Sequence, residues 1–310
     1  MAVLLVLAAF GGSPLLQAAE YRVGTWKTAQ TIQPFFYQDF LAKGDTAQIF
    51  AFTNPADQKT ALLAGSLDMT GTTIAHAIQS AAMGQPVVVV AALCNKCSAL
   101  VVAKEGPVQQ VADLKGKKIG YVPGTMHEIL LREALTRNGL SPLKDVQLVR
   151  VDFFDMGTAL AKGSIDAFLS GEPFPTMAEA QGYGRILAYP YFGESVGTIN
   201  AAMLVTREMI AKNPAAVQQL VNAHARATEA LNRDQARCLA RAESFGTPRS
   251  ILEQAATNME LAWSIDEHFV NRAKALGERM QALGVIDHQP DYAQLFDLRF
   301  VRQVRLETDR

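Results

Sequence analysis

Charge is scarce in this chain, and cysteine is scarcer. Only 19% of the 310 residues are Asp, Glu, Lys or Arg, and the formal net charge is -1. With no basic stripe and no basic excess, the electrostatic footprint of a nucleic-acid binder is missing. Cysteine occurs three times, at Cys94, Cys97 and Cys238, which excludes a disulfide-built scaffold. The single Cys94-x-x-Cys97 has no second CxxC and no HxxxH to complete a zinc site, so no metal is expected. No Gly-x-Ser-x-Gly elbow occurs, which removes a serine hydrolase of that type. Beyond the N-terminus no apolar run approaches the ~20 residues of a membrane-spanning helix.

What is present is core-forming material: hydrophobic residues make up 49% of the chain, and the length suits roughly two domains. The run Ala2–Phe10 is unbroken and apolar, and Gly11, Gly12, Ser13 and Pro14 end it. Small residues follow at Ala18 and Ala19. This is the pattern of a secretory signal cut near Ala18–Ala19, too short to cross a bilayer as a helix. The alternative is a buried N-terminal strand or helix. The expectation is a signal peptide over 1–19 and a soluble, periplasmic, monomeric product. No Cys follows to carry a lipid.

One unit is written twice. Ala61-Leu62-Leu63-Ala64-Gly65-Ser66-Leu67-Asp68 returns as Ala159-Leu160-Ala161-Lys162-Gly163-Ser164-Ile165-Asp166. Each copy ends a helix at Gly, then starts a strand that runs into a small polar turn, Thr70-Gly71-Thr72-Thr73 or Ser170-Gly171-Glu172-Pro173. Strands are expected at Tyr21–Trp26, Leu67–Thr70, Val87–Ala92, Ala99–Ala103, Lys118–Val122, Val146–Val151 and Ile165–Leu169. Helices alternate with them, so the fold class is α/β with mostly parallel sheets. The all-apolar run Val87–Ala92 reads as a strand buried on both faces, as in parallel sheets. After Thr206 the spacing is helical throughout: Pro214–Leu231, Arg233–Ser244, Pro248–Leu261 and Ser264–Leu283. The expected organisation is a first lobe from 20–100 and 205–310, a second lobe from 101–204, and a ligand cleft at the double crossing between them.

The stretch Asp113-Leu114-Lys115-Gly116-Lys117-Lys118-Ile119-Gly120, followed by Pro123-Gly124-Thr125, resembles a signature of the periplasmic solute-binding proteins of ABC transporters. The repeated Gly-Ser-[Leu/Ile]-Asp, with Glu172-Pro173-Phe174, resembles the branch that binds sulfonates, taurine, nitrate and thiamine-pyrimidine precursors. The resemblance covers roughly residues 21–230. It implies the two-lobe type II binding-protein fold with a helical C-terminal tail on the first lobe. It also implies a small-molecule ligand, a permease as partner, no enzymatic activity and no cofactor.

Physical reasoning adds to these motifs. Gly124-Thr125 and Gly71-Thr72-Thr73 each precede a helix, where backbone N–H groups and the helix dipole favour an anion. The resemblance carries ligand contact to Thr70, Gly71, Thr72, Gly124, Thr125 and Met126; simple capping is the alternative for each turn. Trp26 and Thr28 follow the first strand, where a Trp either walls a ligand or closes the core. Asp152 and Glu172 lie near strand ends in the second lobe. Glu172 either serves the Pro turn or meets a ligand amine, and an anion site plus Glu172 would suit a zwitterion such as taurine. Phe153, Phe154 and Phe174 are candidate walls. Ser98 resembles the small hydroxyl residues that touch ligand in the family, and His127 falls where the family often carries His. Cys97 joins them as a candidate.

The Cys94/Cys97 pair keeps three readings: a local disulfide or two packed thiols, a soft-metal site with His127, or a redox pair. His76, His224, His268 and His288 have no evident partners in the sequence. A fungal relative of this fold makes the thiamine pyrimidine with its own His and a pyridoxal group on Lys. The exported N-terminus argues against that activity here.

Overall fold

A computed structural model describes residues 18–191 and 196–304; the proposed signal segment therefore lies almost wholly outside the described residues. The chain lays down β1 (Glu20–Trp26), β2 (Thr46–Phe52), β3 (Met69–Thr73) and β4 (Val87–Lys96) in a first sheet. It then builds β5 (Ser98–Ala103), β6 (Lys118–Tyr121), β7 (Gln147–Arg150), β8 (Ala167–Gly171) and β9 (Gly184–Ala188) in a second. It returns with β10 (Ile199–Thr206) and β11 (Met259–Leu261) to the first. The orders are β11-β4-β10-β3-β1-β2 and β7-β6-β8-β5-β9.

The helices are α1 (Pro55–Leu63), α2 (Ile74–Ala82), α3 (Met126–Arg137), α4 (Met156–Ala161), α5 (Phe174–Ala180) and α6 (Arg207–Lys212), then α7 (Pro214–Arg233), α8 (Gln235–Glu243), α9 (Arg249–Ala255), α10 (Glu267–Ala282), α11 (Tyr292–Leu295) and α12 (Arg299–Arg302). Their starts follow capping chemistry. The Asn54 side chain accepts from Ala56 N at the head of α1, beside Pro55, and Thr125 accepts from Glu128 N at the head of α3.

The duplicated segment has a structural explanation. Gly65 and Gly163, at φ +72° and +69°, end α1 and α4 in the left-handed region that glycine occupies without strain. Asp68 then accepts from Arg22 N at 2.7 Å, and Asp166 accepts from Lys118 N at 2.8 Å. Each Asp ties its strand to a parallel neighbour, β3 to β1 and β8 to β6. Leu67 and Ile165 pack where glycine leaves room: a Cβ on Gly24 would lie 2.7 Å from Leu67, and one on Gly120 2.8 Å from Ile165. The repeat therefore fixes strand register twice.

The sheets are mixed rather than mostly parallel. β1–β2, β1–β3, β6–β7 and β6–β8 are parallel, but β10 runs antiparallel to β3 and β4, and β5 runs antiparallel to β8 and β9. The Val87–Ala92 run is fully buried, yet β4 is antiparallel to both neighbours. The strands that cross between lobes enter each sheet backwards, and burial alone does not reveal direction. The changes of sheet also come earlier than the sequence reading puts them. Cys97 alone links β4 to β5, and the return lies between Ala188 and Ile199. Lys96 and Cys97 hold φ of 49° and 89°, the turn that redirects the chain within one residue.

The tail departs from the all-helical expectation in one place. Within the expected helix Pro248–Leu261, Met259–Leu261 forms β11, paired with Cys94–Lys96. An open edge of β4 is available there, and edge pairing overrides helical spacing. His224 on α7 is also partnered: Tyr37 Oη lies 2.9 Å from Nδ1, and Nε2 lies 2.7 Å from Ala92 O. This pins α7 to β4.

Candidate functional site

One short segment of the first lobe, Trp26–Gln30, meets two helix starts and two strand ends of the second. Trp26 closes β1, and the turn after it is stitched by hydroxyls. Thr25 Oγ1 donates to Thr31 O at 2.8 Å, Thr31 Oγ1 donates to Trp26 O at 3.1 Å, and Thr28 Oγ1 lies 2.9 Å from Thr31 Oγ1. This fixes Trp26, Thr28 and Gln30 along one wall. The opposite wall is His127 on α3, Phe153 and Phe154 after β7, Ser170 and Gly171 at the end of β8, and Phe174 on α5. The cavity between them holds about 20 Å³, room for roughly one water. His127 meets Phe153 edge-on at 5.2 Å, and Phe154 meets Phe174 at 5.1 Å.

The polar atoms here are unusual. Trp26 Nε1, Gln30 Oε1 and Ser170 Oγ are buried without a hydrogen-bond partner, and all three residues line the cavity. Buried polar groups are ordinarily satisfied, so three orphans around one void point to a guest or water that completes them. Among the described lining residues none is Lys or Arg. Burial holds His127 neutral, its pKa lowered to about 3.

Directly behind this wall lies a polar layer at the crossing. Ser98 Oγ stands 2.9 Å from His127 Nδ1. Glu172 N donates to Cys97 O at 2.8 Å. The Glu172 carboxylate accepts from Asn258 Nδ2 at 3.2 Å and from Thr176 N at 3.2 Å. Burial outweighs these bonds and pushes the Glu172 pKa up to about 7. Cys94 and Cys97 are buried free thiols, and burial holds the Cys97 thiol well above its ordinary pKa. Among the described residues no three His, Cys, Asp or Glu side chains gather as a metal cluster.

The sequence-derived candidates separate into groups. Trp26, Thr28 and His127 line the cavity; Cys97, Ser98 and Glu172 form the layer behind it. Thr70 and Gly71 instead receive the Gln58 amide, Oγ1 at 2.8 Å and the Gly71 carbonyl. Thr72 Oγ1 lies 3.5 Å from His76 Nδ1. Gly124 N donates to Glu128 Oε2 at 2.6 Å, and Thr125 Oγ1 donates to Val122 O at 2.7 Å. Glu128 pairs with Arg132, so its own carboxylate occupies the head of α3. Met126 is fully buried. Asp152 is exposed. His76 reaches across the lobes: a Cβ on Gly124 would lie 2.6 Å from its Nε2. Gln30 and Asn258 carry no sequence signal of their own, and Ser170 has one only as part of the turn Ser170-Gly171-Glu172-Pro173; each becomes relevant where distant segments meet.

Two lobes joined at a double crossing around a small enclosed cavity define the two-lobe fold of the periplasmic solute-binding proteins. The alkanesulfonate-binding protein SsuA of Xanthomonas axonopodis pv. citri, bound to MOPS, superimposes with a TM-score of 0.80 at 22% identity, over 91% of this chain and 99% of that one. The periplasmic nitrate-binding protein NrtA of Synechocystis PCC 6803 does so at 0.77 and 15%, over 93% and 88%. The chain belongs to the NMT1/THI5-like family, whose model matches residues 40–237. A Brucella abortus protein, named provisionally as a binding protein, is 35% identical over 182 residues, 57% of this chain and 55% of its own. The 4-amino-5-hydroxymethyl-2-methylpyrimidine phosphate synthase of Schizosaccharomyces pombe is 30% identical over 151 residues, 46% of this chain and 43% of its own. The chain thus spans about half the length of the curated relatives it matches.

Proposed function

We propose that this protein is the solute-binding receptor of an ABC importer, exported to the periplasm after removal of residues 1–19. In this reading it works as a monomer that clamps one small solute and presents the closed form to a permease. Residues 20–96 and 199–304 form one lobe, 98–188 the other, and the two connections act as hinges. At about 20 Å³ the cavity is smaller than any organic solute, so the lobes part for entry and close around the guest with their walls farther apart than here.

For the solute we infer a small, flat, uncharged nitrogen heterocycle bearing an amine, of the aminopyrimidine class. The observation that carries this is the lining: aromatic rings on both walls, three orphaned polar atoms and no cationic side chain among the described residues. Rings stack on rings, and orphaned donors and acceptors select a guest by its edge. The name of the fungal relative adds support.

A sulfonate or taurine-like solute is the second reading, favoured by the likeness to SsuA. Against it, Glu128 already occupies the α3 N-terminus, and a second anion there would meet a carboxylate. The test is a calorimetric panel of 4-amino-2-methylpyrimidine, taurine, ethanesulfonate and nitrate. Saturable binding of the pyrimidine alone is expected. Binding of the sulfonates alone would replace the heterocycle with the anion, and silence across a broad solute library would remove the receptor role.

A further inference from the structure

Three buried polar residues run from the interlobe crossing to the cavity wall. Asn200, 2% exposed, sits at the start of β10 on the returning connection. Its Nδ2 lies 2.8 Å from Lys96 O, 3.0 Å from Cys97 Sγ and 3.4 Å from Ser98 Oγ. Ser98, fully buried, is the first residue of β5, and its Oγ lies 2.9 Å from His127 Nδ1. His127, in the first turn of α3, lines the cavity.

Asn200 Nδ2 only donates, and it has two protons for three neighbours: Lys96 O at 2.8 Å takes one, while Cys97 Sγ at 3.0 Å and Ser98 Oγ at 3.4 Å share the other as acceptors. The Ser98 hydroxyl has one proton to give, with His127 Nδ1 2.9 Å away and the buried Tyr191 hydroxyl also beside it. A tyrosine hydroxyl can donate to Ser98 in its turn, which leaves the Ser98 proton for His127 Nδ1. A neutral imidazole that accepts at Nδ1 carries its proton on Nε2.

We propose that Asn200 and Ser98 lock His127 as the Nε2–H tautomer, so that His127 is a specificity-determining donor that demands a hydrogen-bond acceptor on the solute. Asn200 and Ser98 are positioning residues: they touch the solute only through His127. The proposal deepens the reading of this cavity as the solute site. Trp26 Nε1 is a second donor, unpartnered and on the opposite lobe. Gln30 Oε1 is an unpartnered acceptor. Two donors and one acceptor match the two ring nitrogens and the amino group of an aminopyrimidine. Because the donors come from different lobes, a guest that satisfies both ties the lobes together, and one that lacks an acceptor leaves a buried N–H unpaired on one side.

The first test needs no ligand. Two-bond proton–nitrogen correlation spectra of the full mature protein with 15N-histidine report the tautomer of each ring, with His127 assigned by its loss in His127→Gln. The expected wild-type state is Nε2–H, with a mixture of tautomers in Ser98→Ala and the wild-type pattern restored in Ser98→Thr. An Nδ1–H ring in the wild type overturns the proposal, as does an unchanged Nε2–H ring in folded Ser98→Ala.

The second test compares 4-amino-2-methylpyrimidine with 3-methylaniline, in which both ring nitrogens are CH. The wild type should prefer the pyrimidine by about tenfold or more per unmet donor, and Ser98→Ala should reduce that ratio. Equal affinities in the wild type would overturn the donor role. If neither probe binds, the heterocycle reading fails by itself, while the tautomer spectra still decide the lock.

Discussion

Arg279 on α10 forms an ion pair with Glu133 on α3, joining a helix of the first lobe to one of the second. The Glu133 side chain is 3% exposed and that of Arg279 41%, so removing Arg279 would leave a buried carboxylate with one partner fewer, which costs more than losing a surface contact. Neither residue lines the cavity, and a pair that joins the two lobes is expected to act as a clasp on their closure. Arg279→Met should cost the closed state about 1–2 kcal/mol and lower solute affinity severalfold, with the cavity walls intact. Small-angle scattering of the solute-free protein should show a larger radius. An unchanged radius together with unchanged affinity would rule out the clasp.

Glu172 gives stability a pH dependence of unusual sign. Its pKa is raised from 4.5 to about 7 in the fold, chiefly by burial. The unfolded chain therefore releases this proton first. Stability from this group is full below about pH 4.5 and is lost as pH rises toward 7, a total of about 3 kcal/mol. Glu172→Gln keeps an acceptor for Asn258 or Thr176 and cannot ionise. It should melt higher than the wild type at pH 8 and close to it at pH 4.5. Parallel melting curves across that range would refute the assignment.

The histidines work in the opposite direction. Burial lowers His76 and His224 to about 4 and His127 to about 3. Each stays neutral in the fold, while the unfolded chain takes up protons below about pH 6.5. Their contribution is present above that value and falls as pH drops toward the folded pKa. Chemical denaturation at pH 7, 5.5 and 4.5 should show a falling midpoint, with a shallower fall in His224→Gln. Removing that ring also breaks the Tyr37 and Ala92 bonds, so the slope with pH is the quantity to compare.

Trp26→Phe separates stacking from hydrogen bonding. The ring remains, and the Nε1 donor is lost. Affinity for 4-amino-2-methylpyrimidine should drop about five- to tenfold, the net worth of one hydrogen bond. Trp26→Ala removes the wall and should cost considerably more, in both affinity and stability. Calorimetry on both variants checks the order.

Gly171 has contacts from three directions. A Cβ there would stand 3.2 Å from Gln30 Nε2, 3.3 Å from Cys97 Sγ and 3.3 Å from His127 Cε1. These neighbours belong to the first lobe, the crossing and the second lobe, so one methyl would press on all three. Gly171→Ala should destabilise by about 1–2 kcal/mol and weaken solute binding more than a change of the same size outside the cleft. Wild-type affinity and melting together would show that the three groups yield freely.

The α/β alternation was legible because it rests on local signals. Asn54 with Pro55, Thr125 before Met126, and Gly65 and Gly163 after their helices are short-range devices, and the structure uses each of them. The repeat was legible as a pattern, but its purpose was not. Asp68 and Asp166 reach strands 46 and 48 residues earlier in the chain, and no spacing rule names those partners. A run buried on both faces looks the same in parallel and antiparallel sheets, so the direction of Val87–Ala92, antiparallel to both neighbours, is not legible in the sequence. Met259–Leu261 has helical spacing but forms a strand, because its pairing edge, Cys94–Lys96, lies far away in sequence.

The candidate site was legible in part for the same reason. Trp26, Thr28 and His127 follow strand ends or helix starts, where this architecture places ligands. Gln30 lies in a polar stretch with no periodicity, and Asn200 and Asn258 approach the site only through the crossing and the tail. The sequence alone determined the elements, their capping and the family signature, because these are fixed by neighbours within a few residues. The tertiary structure alone decided which polar atoms meet across the lobes and which remain unpaired. Around the site, hydrogen-bond satisfaction depends on groups that lie up to 160 residues apart in the chain.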